Sequence, residues 1–392
     1  MVNNKIRNCQ FVIFNWRCYN NAMNLLSFPS KHPVGIDISD LSLKLVQLQT
    51  KRHKITLQTL SRLSVPEGYI TDGVIKNKAG VAGLLQQLTR ETILGKVTSK
   101  EVIACLPETK TFIKLIALSR AEENVAAAIK SEIEKNIPYE LAEVNYDWQI
   151  IAKDRREQKI LVGVIPKIIA DSYAEVLEEA DLFPVALEIE AAAIVRSVLP
   201  LAPAARATAL IVDIGAARSS LIAYADNTVL FTVSLPVSGK KYTAIIAREL
   251  NLDLAKAEEA KIICGLDPSA AQGIIAATLA QMGNELITKI TAALKYLTAH
   301  YPAYGKVGSM YLCGGGANLK GLSDLMTQRL NIPTQVSDVF TNIALSQKQA
   351  GKYFQKKLTT DKKITPRYQY QQDSSPIFAT AIGLALRGVY LA

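Results

Sequence analysis

The spacing of apolar and polar residues predicts a β-hairpin near the start of the chain. Residues 34–38 form a short apolar strand in which Asp37 is the one charged residue. Residues 39–40, Ser-Asp, are typical of a tight turn, and apolar positions then alternate along residues 41–47. A further alternating segment at residues 54–63 has the same periodicity, so we expect three consecutive antiparallel strands.

The same design returns in the second half of the chain. Residues 210–214 form an apolar strand that carries Asp213, residues 215–217 (Gly-Ala-Ala) form a small turn, and residues 219–224 return as a second strand. Asp37 and Asp213 therefore stand 176 positions apart in equivalent hairpins. Two copies of one supersecondary unit, each opening a half of the chain, predict two similar domains that face each other across a cleft.

Helical periodicity follows each hairpin, and a separate module interrupts the first half. Helices are predicted at residues 81–92, 242–250, 255–264 and 284–300. In the interrupting module, strands are predicted at residues 102–106, 111–118, 145–152 and 160–165. Within that module, Ser119 and Glu122 have the spacing of a capping box, which predicts a helix that opens there and ends near Asn136. The mixture predicts an inserted α+β unit.

Composition fits a globular protein of two or three domains, because 49% of the 392 residues are hydrophobic and 20% are charged. No apolar run approaches the roughly 20 residues that a membrane-spanning helix needs. Five cysteines without a Cys-x-x-Cys spacing favour a reducing compartment, so we expect a cytoplasmic protein.

Positive charge is concentrated in one segment, residues 345–372, which holds seven Lys or Arg residues and one acid. A solvated surface loop is the simpler interpretation. An anionic membrane surface or an acidic partner is the alternative. Nucleic acid is not expected, since no RNA- or DNA-binding signature accompanies the charge.

The two aspartates are candidates for binding a polyphosphate with its metal. A carboxylate at the end of a buried strand, beside a turn of small residues, suits Mg²⁺ and phosphate oxygens, so Asp37 and Asp213 are predicted as the metal-binding pair. A third element is the run Gly314, Gly315 and Gly316 after an apolar strand. Consecutive glycines permit positive φ angles and a close approach of backbone to ligand.

In this order, the hairpins, the module and the glycine run resemble the actin-like ATPase superfamily. The sequence is most similar to the PilM family of type IV pilus assembly proteins, relatives of the division protein FtsA. The resemblance covers nearly everything from about residue 23 onward, and the segments that carry it are residues 34–48, 131–139, 212–221, 312–322 and 378–387.

The resemblance implies an α/β fold of the actin-like, or ribonuclease H-like, type with two duplicated phosphate-loop halves. It implies an inserted α+β subdomain of the FtsA and PilM type. The expected divisions are an N-terminal extension (1–32), the first core subdomain (33–98 and 167–205), the inserted subdomain (99–166), the second domain (206–375) and a closing helix (376–392).

The resemblance also implies a site for ATP and Mg²⁺. The first phosphate loop would contribute Asp37, Ser39, Ser42 and Lys44. The second would contribute Asp213, Gly215 and Ser219. The adenosine would be held by Glu258, Lys261, Gly314, Gly315, Gly316 and Asn318. Glu188 or Glu190 would orient the attacking water, and the resemblance does not decide between them.

Three positions depart from the family pattern and favour nucleotide binding over fast hydrolysis. Ser39 stands where a glycine is usual, Ser220 where many members have Asp, and Lys240 where an acidic residue is common. The protein is therefore expected to bind ATP as a regulatory ligand, with at most slow ATPase activity.

The function implied is a cytoplasmic adaptor held at the inner membrane by its partners. It would bind the cytoplasmic N-terminal tail of PilN in a groove between the inserted and first core subdomains, and reach the PilO/PilN platform and the pilus motor ATPase indirectly. The alternatives are an actin-fold small-molecule kinase and an FtsA-like filament former. No convincing catalytic base supports the first, and no basic amphipathic helix follows residues 379–392 to support the second.

Overall fold

A computed structural model describes residues 32–51, 54–122, 124–153, 155–200, 208–304, 306–345 and 375–391. The predictions for the N-terminal extension and for nearly all of the basic segment lie outside these ranges. None of the helices within them is long and apolar enough to cross a membrane.

The described chain alternates strands and helices. The strands are β1 (Val34–Ser39), β2 (Ser42–Lys51), β3 (Lys54–Ser64), β4 (Ile70–Thr71), β5 (Val74–Ile75), β6 (Glu101–Leu106), β7 (Phe112–Ser119), β8 (Val144–Lys153), β9 (Glu157–Pro166), β10 (Phe183–Ile189), β11 (Thr208–Ile214), β12 (Ser219–Ala225), β13 (Thr228–Leu235), β14 (Val307–Cys313) and β15 (Thr334–Val336). The helices are α1 (Lys78–Arg90), α2 (Val125–Asn136), α3 (Lys167–Glu179), α4 (Glu190–Val198), α5 (Gly239–Glu249), α6 (Leu254–Cys264), α7 (Ile274–His300), α8 (Leu322–Leu330) and α9 (Ala379–Leu391).

Two five-stranded sheets share one topology. The first has the order β3-β2-β1-β6-β10 and the second β13-β12-β11-β14-β15. In each sheet the first three strands form an antiparallel meander and the other two run parallel to the central strand. This correspondence confirms the predicted duplication, and it places Asp37 on β1 and Asp213 on β11 at the same point of each sheet.

The inserted unit is a three-stranded antiparallel sheet, β7-β9-β8, packed against α2. Its core includes Ile129 and Ile133 from α2 and Ile160, Val162 and Val164 from β9. The strands confirm the α+β interpretation, since apolar side chains of one sheet face meet the apolar stripe of one helix.

The predicted start of α2 was wrong. Asn124, not Ser119, is the N-cap, and its side chain accepts a hydrogen bond from the backbone N–H of Ala127. Ser119 is the last residue of β7 and pairs with Glu157 of β9. The strand pairing therefore takes Ser119 out of the helix start that its spacing to Glu122 predicted.

The first sheet is covered by α9, which comes after the second domain in sequence. α9 packs against β1, β2, β6 and α4. The approach is close at Gly35, where an added Cβ would lie 2.4 Å from the carbonyl oxygen of Ala381. Because only glycine allows this backbone contact, Gly35 fixes how closely the helix seats on the sheet.

Candidate functional site

The first hairpin presents a buried ion pair at its tip. Asp37 and Lys44 are cross-strand partners on β1 and β2, which puts their side chains on one face of the sheet. Lys44 Nζ lies 2.7 Å from Asp37 Oδ2, and Ser39 Oγ donates to Oδ1 at 2.7 Å. Ser42, at the start of β2, pairs with Ser39 across the turn. The turn thus holds an already neutralised carboxylate.

The second hairpin presents its carboxylate without a lysine. Asp213 faces Ser220 on β12 and Cys313 on β14. Burial raises its pKa to about 6; the charge of Lys44 opposes this rise and that of Asp37 adds to it. Within the described chain Asp213 forms no ion pair of its own. A cation or a phosphate-bound metal would therefore be stabilised more by Asp213 than by Asp37, whose charge Lys44 already neutralises.

The glycine run closes over Asp213. Gly314 has φ +76°, and a Cβ there would lie 2.3 Å from Asp213 Oδ1. A Cβ at Gly316 would lie 2.3 Å from Ile214 Cγ2, whereas one at Gly315 would meet nothing nearer than 3.8 Å. The turn is therefore fixed against the end of β11 and is not a flexible loop. It continues into a 3₁₀ turn, Gly315–Asn318.

Two buried polar atoms next to these turns lack a hydrogen-bond partner in the described part of the chain. They are the Oγ of Ser219, at the start of β12, and the Nδ2 of Asn318, at the end of the 3₁₀ turn. Buried polar groups are nearly always paired, so unpaired ones beside a cleft are consistent with a ligand that supplies the missing partner.

Glu190 adds a third carboxylate. It begins α4, is partly buried, and accepts a hydrogen bond from Thr380 at 3.4 Å. Burial raises its pKa to about 8, with further contributions from the charges of Asp37 and Asp213. The charge of Arg218 opposes this rise, so Glu190 and Arg218 are electrostatically coupled.

Glu188, the other candidate for orienting water, lies elsewhere. Its side chain is fully buried and forms ion pairs with Arg196 (2.5 Å) and Arg387 (3.0 Å). Arg196 also donates to the carbonyl oxygen of Gly383 on α9 at 2.8 Å. This cluster joins β10, α4 and α9 and neutralises Glu188 there, whereas Glu190 is electrostatically coupled to both aspartates.

Glu258 and Lys261 form a network at the edge of the second phosphate loop. Lys261 Nζ lies 2.6 Å from Glu258, 2.8 Å from the Thr243 hydroxyl and 3.1 Å from the carbonyl oxygen of Gly239. Gly239 in turn donates its N–H to the carbonyl oxygen of Gly215 at 3.0 Å. The structure thus brings both residues to the loop rather than leaving them on a bare helix face.

Arg218 reaches across the cleft, and the sequence analysis missed it. It lies in the turn between β11 and β12, yet its guanidinium contacts Thr109 (2.9 Å) and Asp40 (3.4 Å) of the first half. Asp40 itself accepts hydrogen bonds from the backbone N–H groups of Asp72 and Gly73. The available signal was a single cation in a turn otherwise made of Gly and Ala.

A separate groove of about 390 Å³ lies between the inserted sheet and the second domain. One wall comes from β7, α2 and β9, and the other from β13 and the end of α7. Its lining is mostly apolar and aromatic, with Phe112 on one side and Phe231, Tyr296 and Tyr301 on the other. Such a composition suits a peptide segment better than a nucleotide.

Comparison with known proteins identifies the family of the chain. A family model described as "Type IV pilus assembly protein PilM" matches residues 35–389. The chain belongs to this family. A solved "PilM-PilN type IV pilus biogenesis complex" is 25% identical, with a TM-score of 0.72, over 91% of this chain and 98% of that one. The resemblance predicted from the hairpins and the glycine run is confirmed.

A second solved structure shows the fold alone. The ethanolamine utilization protein EutJ from Carboxydothermus hydrogenoformans is 16% identical, with a TM-score of 0.50, over 98% of this chain and 97% of that one. Together these similarities confirm the actin-like ATPase fold with two related domains. In this PilM family member, Asp37, Asp213, Glu190 and the glycine run meet where the two halves face each other.

Proposed function

We propose that this protein is a nucleotide-binding adaptor of type IV pilus assembly and that the cleft between the two hairpins binds ATP with Mg²⁺. The observation that carries the proposal is the placement of Gly314 against Asp213, opposite the Asp37 hairpin. Backbone that approaches within van der Waals contact of a carboxylate, with no side chain between, leaves room for phosphates beside a metal.

The residues fit a magnesium ion that is shared with the nucleotide. The described residues contain no cluster of three or more His, Cys, Asp or Glu side chains able to hold a metal by themselves. Asp37 already has Lys44 as its partner. Mg²⁺ keeps several waters and commonly binds through one or two carboxylates plus phosphate oxygens, so Asp213 would be the direct or water-linked ligand and Asp37 the second.

The same geometry supports slow turnover at most. Bound Mg²⁺ supplies positive charge to the transferred phosphate. Glu190 is the candidate to orient or deprotonate a water, and burial beside the charges of Asp37 and Asp213 raises its pKa to about 8. A carboxyl whose pKa lies above neutral is a weak proton acceptor at neutral pH for most of the time, which is consistent with slow hydrolysis. We therefore propose a regulatory nucleotide whose occupancy matters more than its hydrolysis.

For the partner, we propose the cytoplasmic N-terminal tail of a PilN protein, and through it the PilO/PilN platform and the pilus motor ATPase. The support is the similarity over the whole chain to a PilM–PilN complex. The protein would then be peripheral to the inner membrane. The tail is expected between the inserted and first core subdomains, where Ile168 at the start of α3 is 76% exposed.

Calorimetric titration with MgATP tests the nucleotide site. Asp213→Asn should lower the affinity by tenfold or more, because the carboxylate closest to the glycine run is lost (a change of about 1.4 kcal/mol or more). Asp226→Asn, in the turn at the far end of the same hairpin, is the matched control and should bind as the wild type does. Equal binding by all three proteins would refute the assignment.

Titration with a synthetic PilN tail, with and without MgATP, tests the adaptor function. Ile168→Ser should weaken binding if the tail lies against the first core subdomain. Phe112→Ser should weaken it if the tail occupies the 390 Å³ groove instead. No binding to the wild type under either condition would remove the proposed partner.

A further inference from the structure

Arg218 connects the two hairpin turns. Its Nη2 lies 3.4 Å from Oδ1 of Asp40, in the turn of the first hairpin, while its own backbone closes the turn of the second by accepting the N–H of Gly215 at 2.9 Å. The side chain is 23% exposed, so it lines the cleft without being sealed in it. It is the only cationic residue in either turn, residues 39–42 and 215–218.

The present contacts of Arg218 leave much of its capacity unused. Guanidinium has five N–H donors in a planar fork, which suits the bidentate geometry of phosphate. Here one contact is to a neutral hydroxyl, Thr109, and the contact to Asp40 is longer than a charged hydrogen bond prefers. The carboxylate of Asp40 is also shared with two backbone N–H groups. A doubly charged terminal phosphate is a stronger partner.

We propose that Arg218 binds the terminal phosphate of a nucleoside triphosphate and releases Asp40 and Thr109 when it does so. The inference rests on the proposed nucleotide site. Arg218 spans both phosphate-loop turns, so its guanidinium lies where a phosphate in contact with both turns would bind. A nucleoside diphosphate lacks the terminal phosphate, so Arg218 distinguishes a triphosphate from a diphosphate.

Release of Thr109 has a consequence beyond the cleft. The Thr109 hydroxyl accepts from Arg218 and donates to the carbonyl oxygen of Asp72 at 3.3 Å. Next to it, Lys110 pairs with the Asp72 carboxylate at 2.7 Å. The two bonds to Asp72 hold the 3₁₀ turn Glu108–Lys110 against the first domain, and the bond from Arg218 ties it to the second. The turn leads directly into β7 of the inserted sheet.

The same turn borders the groove. Burial raises the pKa of Glu108 and the side chain of Thr232 in the second domain opposes this rise, so the two side chains lie close together. Thr232 lines the groove from one side, and Phe112, two residues after the turn, lines it from the other. A triphosphate that draws Arg218 away from Thr109 therefore loosens the segment that sets the spacing of the two walls, which links the nucleotide to the inserted subdomain.

The test is the ratio of two affinities, for a non-hydrolysable ATP analogue and for ADP, both with Mg²⁺. Arg218→Gln should lower the affinity for the analogue by about 10- to 100-fold, the range of one charged hydrogen-bonded pair. Its affinity for ADP should stay within about twofold of the wild-type value. Thr109→Val has nearly the same shape but cannot accept the hydrogen bond from Arg218, so it should raise the affinity for the analogue and not the affinity for ADP. Lys100→Gln is the control, because Lys100 also loses an exposed ion pair, with Asp181, and lies just before β6 at the end of the first sheet opposite Asp37.

Hydrogen exchange supplies the second readout. The N–H groups of Lys110 and Thr111 are bonded to Pro107 and Glu108 and should exchange faster with the ATP analogue than with ADP. This difference should vanish in Arg218→Gln. An unchanged ratio of the two affinities in Arg218→Gln, or an equal change of that ratio in Lys100→Gln, would overturn the inference while leaving the nucleotide site intact. Failure of the wild type to bind either nucleotide would overturn the site and the inference together.

Discussion

The thiol of Cys313 lies against the carboxylate of Asp213, with Sγ 3.6 Å from Oδ1. Cys105 stands in the same relation to Asp37, again at 3.6 Å. Each cysteine is on the strand parallel to the one that carries the aspartate. The duplication therefore extends from the hairpins to the side chains that flank them.

Both thiols are expected to be unreactive in the folded protein. Burial raises the pKa of Cys105 and of Cys313 well above the usual value, and the adjacent carboxylates raise it further. Since the thiolate is the nucleophile, N-ethylmaleimide should leave both residues unlabelled at neutral pH and label them rapidly in urea. Peptide mass spectrometry measures this. Labelling of either residue at the denatured rate in native protein would contradict the packing.

The glycine run offers a pair of substitutions with opposite outcomes. Gly314→Ala puts a Cβ 2.3 Å from Asp213 Oδ1 at a positive φ, so we expect a loss of roughly 1–3 kcal/mol in unfolding free energy. MgATP affinity should fall with it. Gly315→Ala, whose Cβ would meet Ile377 Cγ2 at an ordinary contact distance of 3.8 Å, should change stability by less than about 1 kcal/mol. Denaturant unfolding of both variants gives the comparison, and equal destabilisation would show that the turn is not packed as described.

Stability should depend on pH through Glu190. Its pKa rises from 4.5 to about 8 on folding, so the folded state binds more protons than the unfolded state between these values. Unfolding free energy contributed by this group is therefore lost as pH rises from about 4.5 through 8. Glu190→Gln cannot ionise and should be more stable than the wild type by roughly 1–3 kcal/mol at pH 8, with the difference disappearing near pH 4.5.

Urea unfolding of both proteins without nucleotide, at several pH values, checks this dependence. Asp213, with its pKa raised to about 6, adds a smaller slope of the same sign to both proteins. A stability difference that stays constant from pH 5 to pH 8 would contradict the assignment of Glu190 to the carboxylate group.

Glu188 should matter for stability and not for nucleotide binding. Glu188→Gln leaves Arg196 and Arg387 buried with one charged partner removed, which is expected to reduce unfolding free energy by about 3–5 kcal/mol. The folded fraction should bind MgATP within about twofold of the wild type. A stable variant with lost binding would instead return Glu188 to the nucleotide site.

Much of the fold follows from local patterns. The two hairpins were predictable because each combines a period-two alternation with turn residues, and both signals are set by neighbours in sequence. The helix start in the inserted unit was not. Ser119 has the right spacing to Glu122, but its pairing with Glu157, almost forty residues later, makes it part of β7. Long-range pairing outweighed a local cap.

The residues of the candidate site also fall into those that local sequence predicts and those that depend on long-range contacts. Asp37, Asp213 and the glycine run could be recognised as candidates from the sequence because phosphate and metal chemistry needs those residue types in such turns. The choice between Glu188 and Glu190 depended on Arg387, which is remote in sequence. The cross-cleft contact between Arg218 and Asp40 depended on how the two halves meet. Such contacts become visible only once the chain has been assembled in three dimensions.

The position of α9 has a consequence for synthesis of the protein. Because α9 covers β1, β2 and β6 but follows the second domain in sequence, the ribosome delivers the first sheet long before its cover. The apolar face of the first sheet, where Gly35 leaves room for α9, is meanwhile open to water and to other nascent chains. The core of the first domain therefore stays incomplete until α9 has left the ribosome.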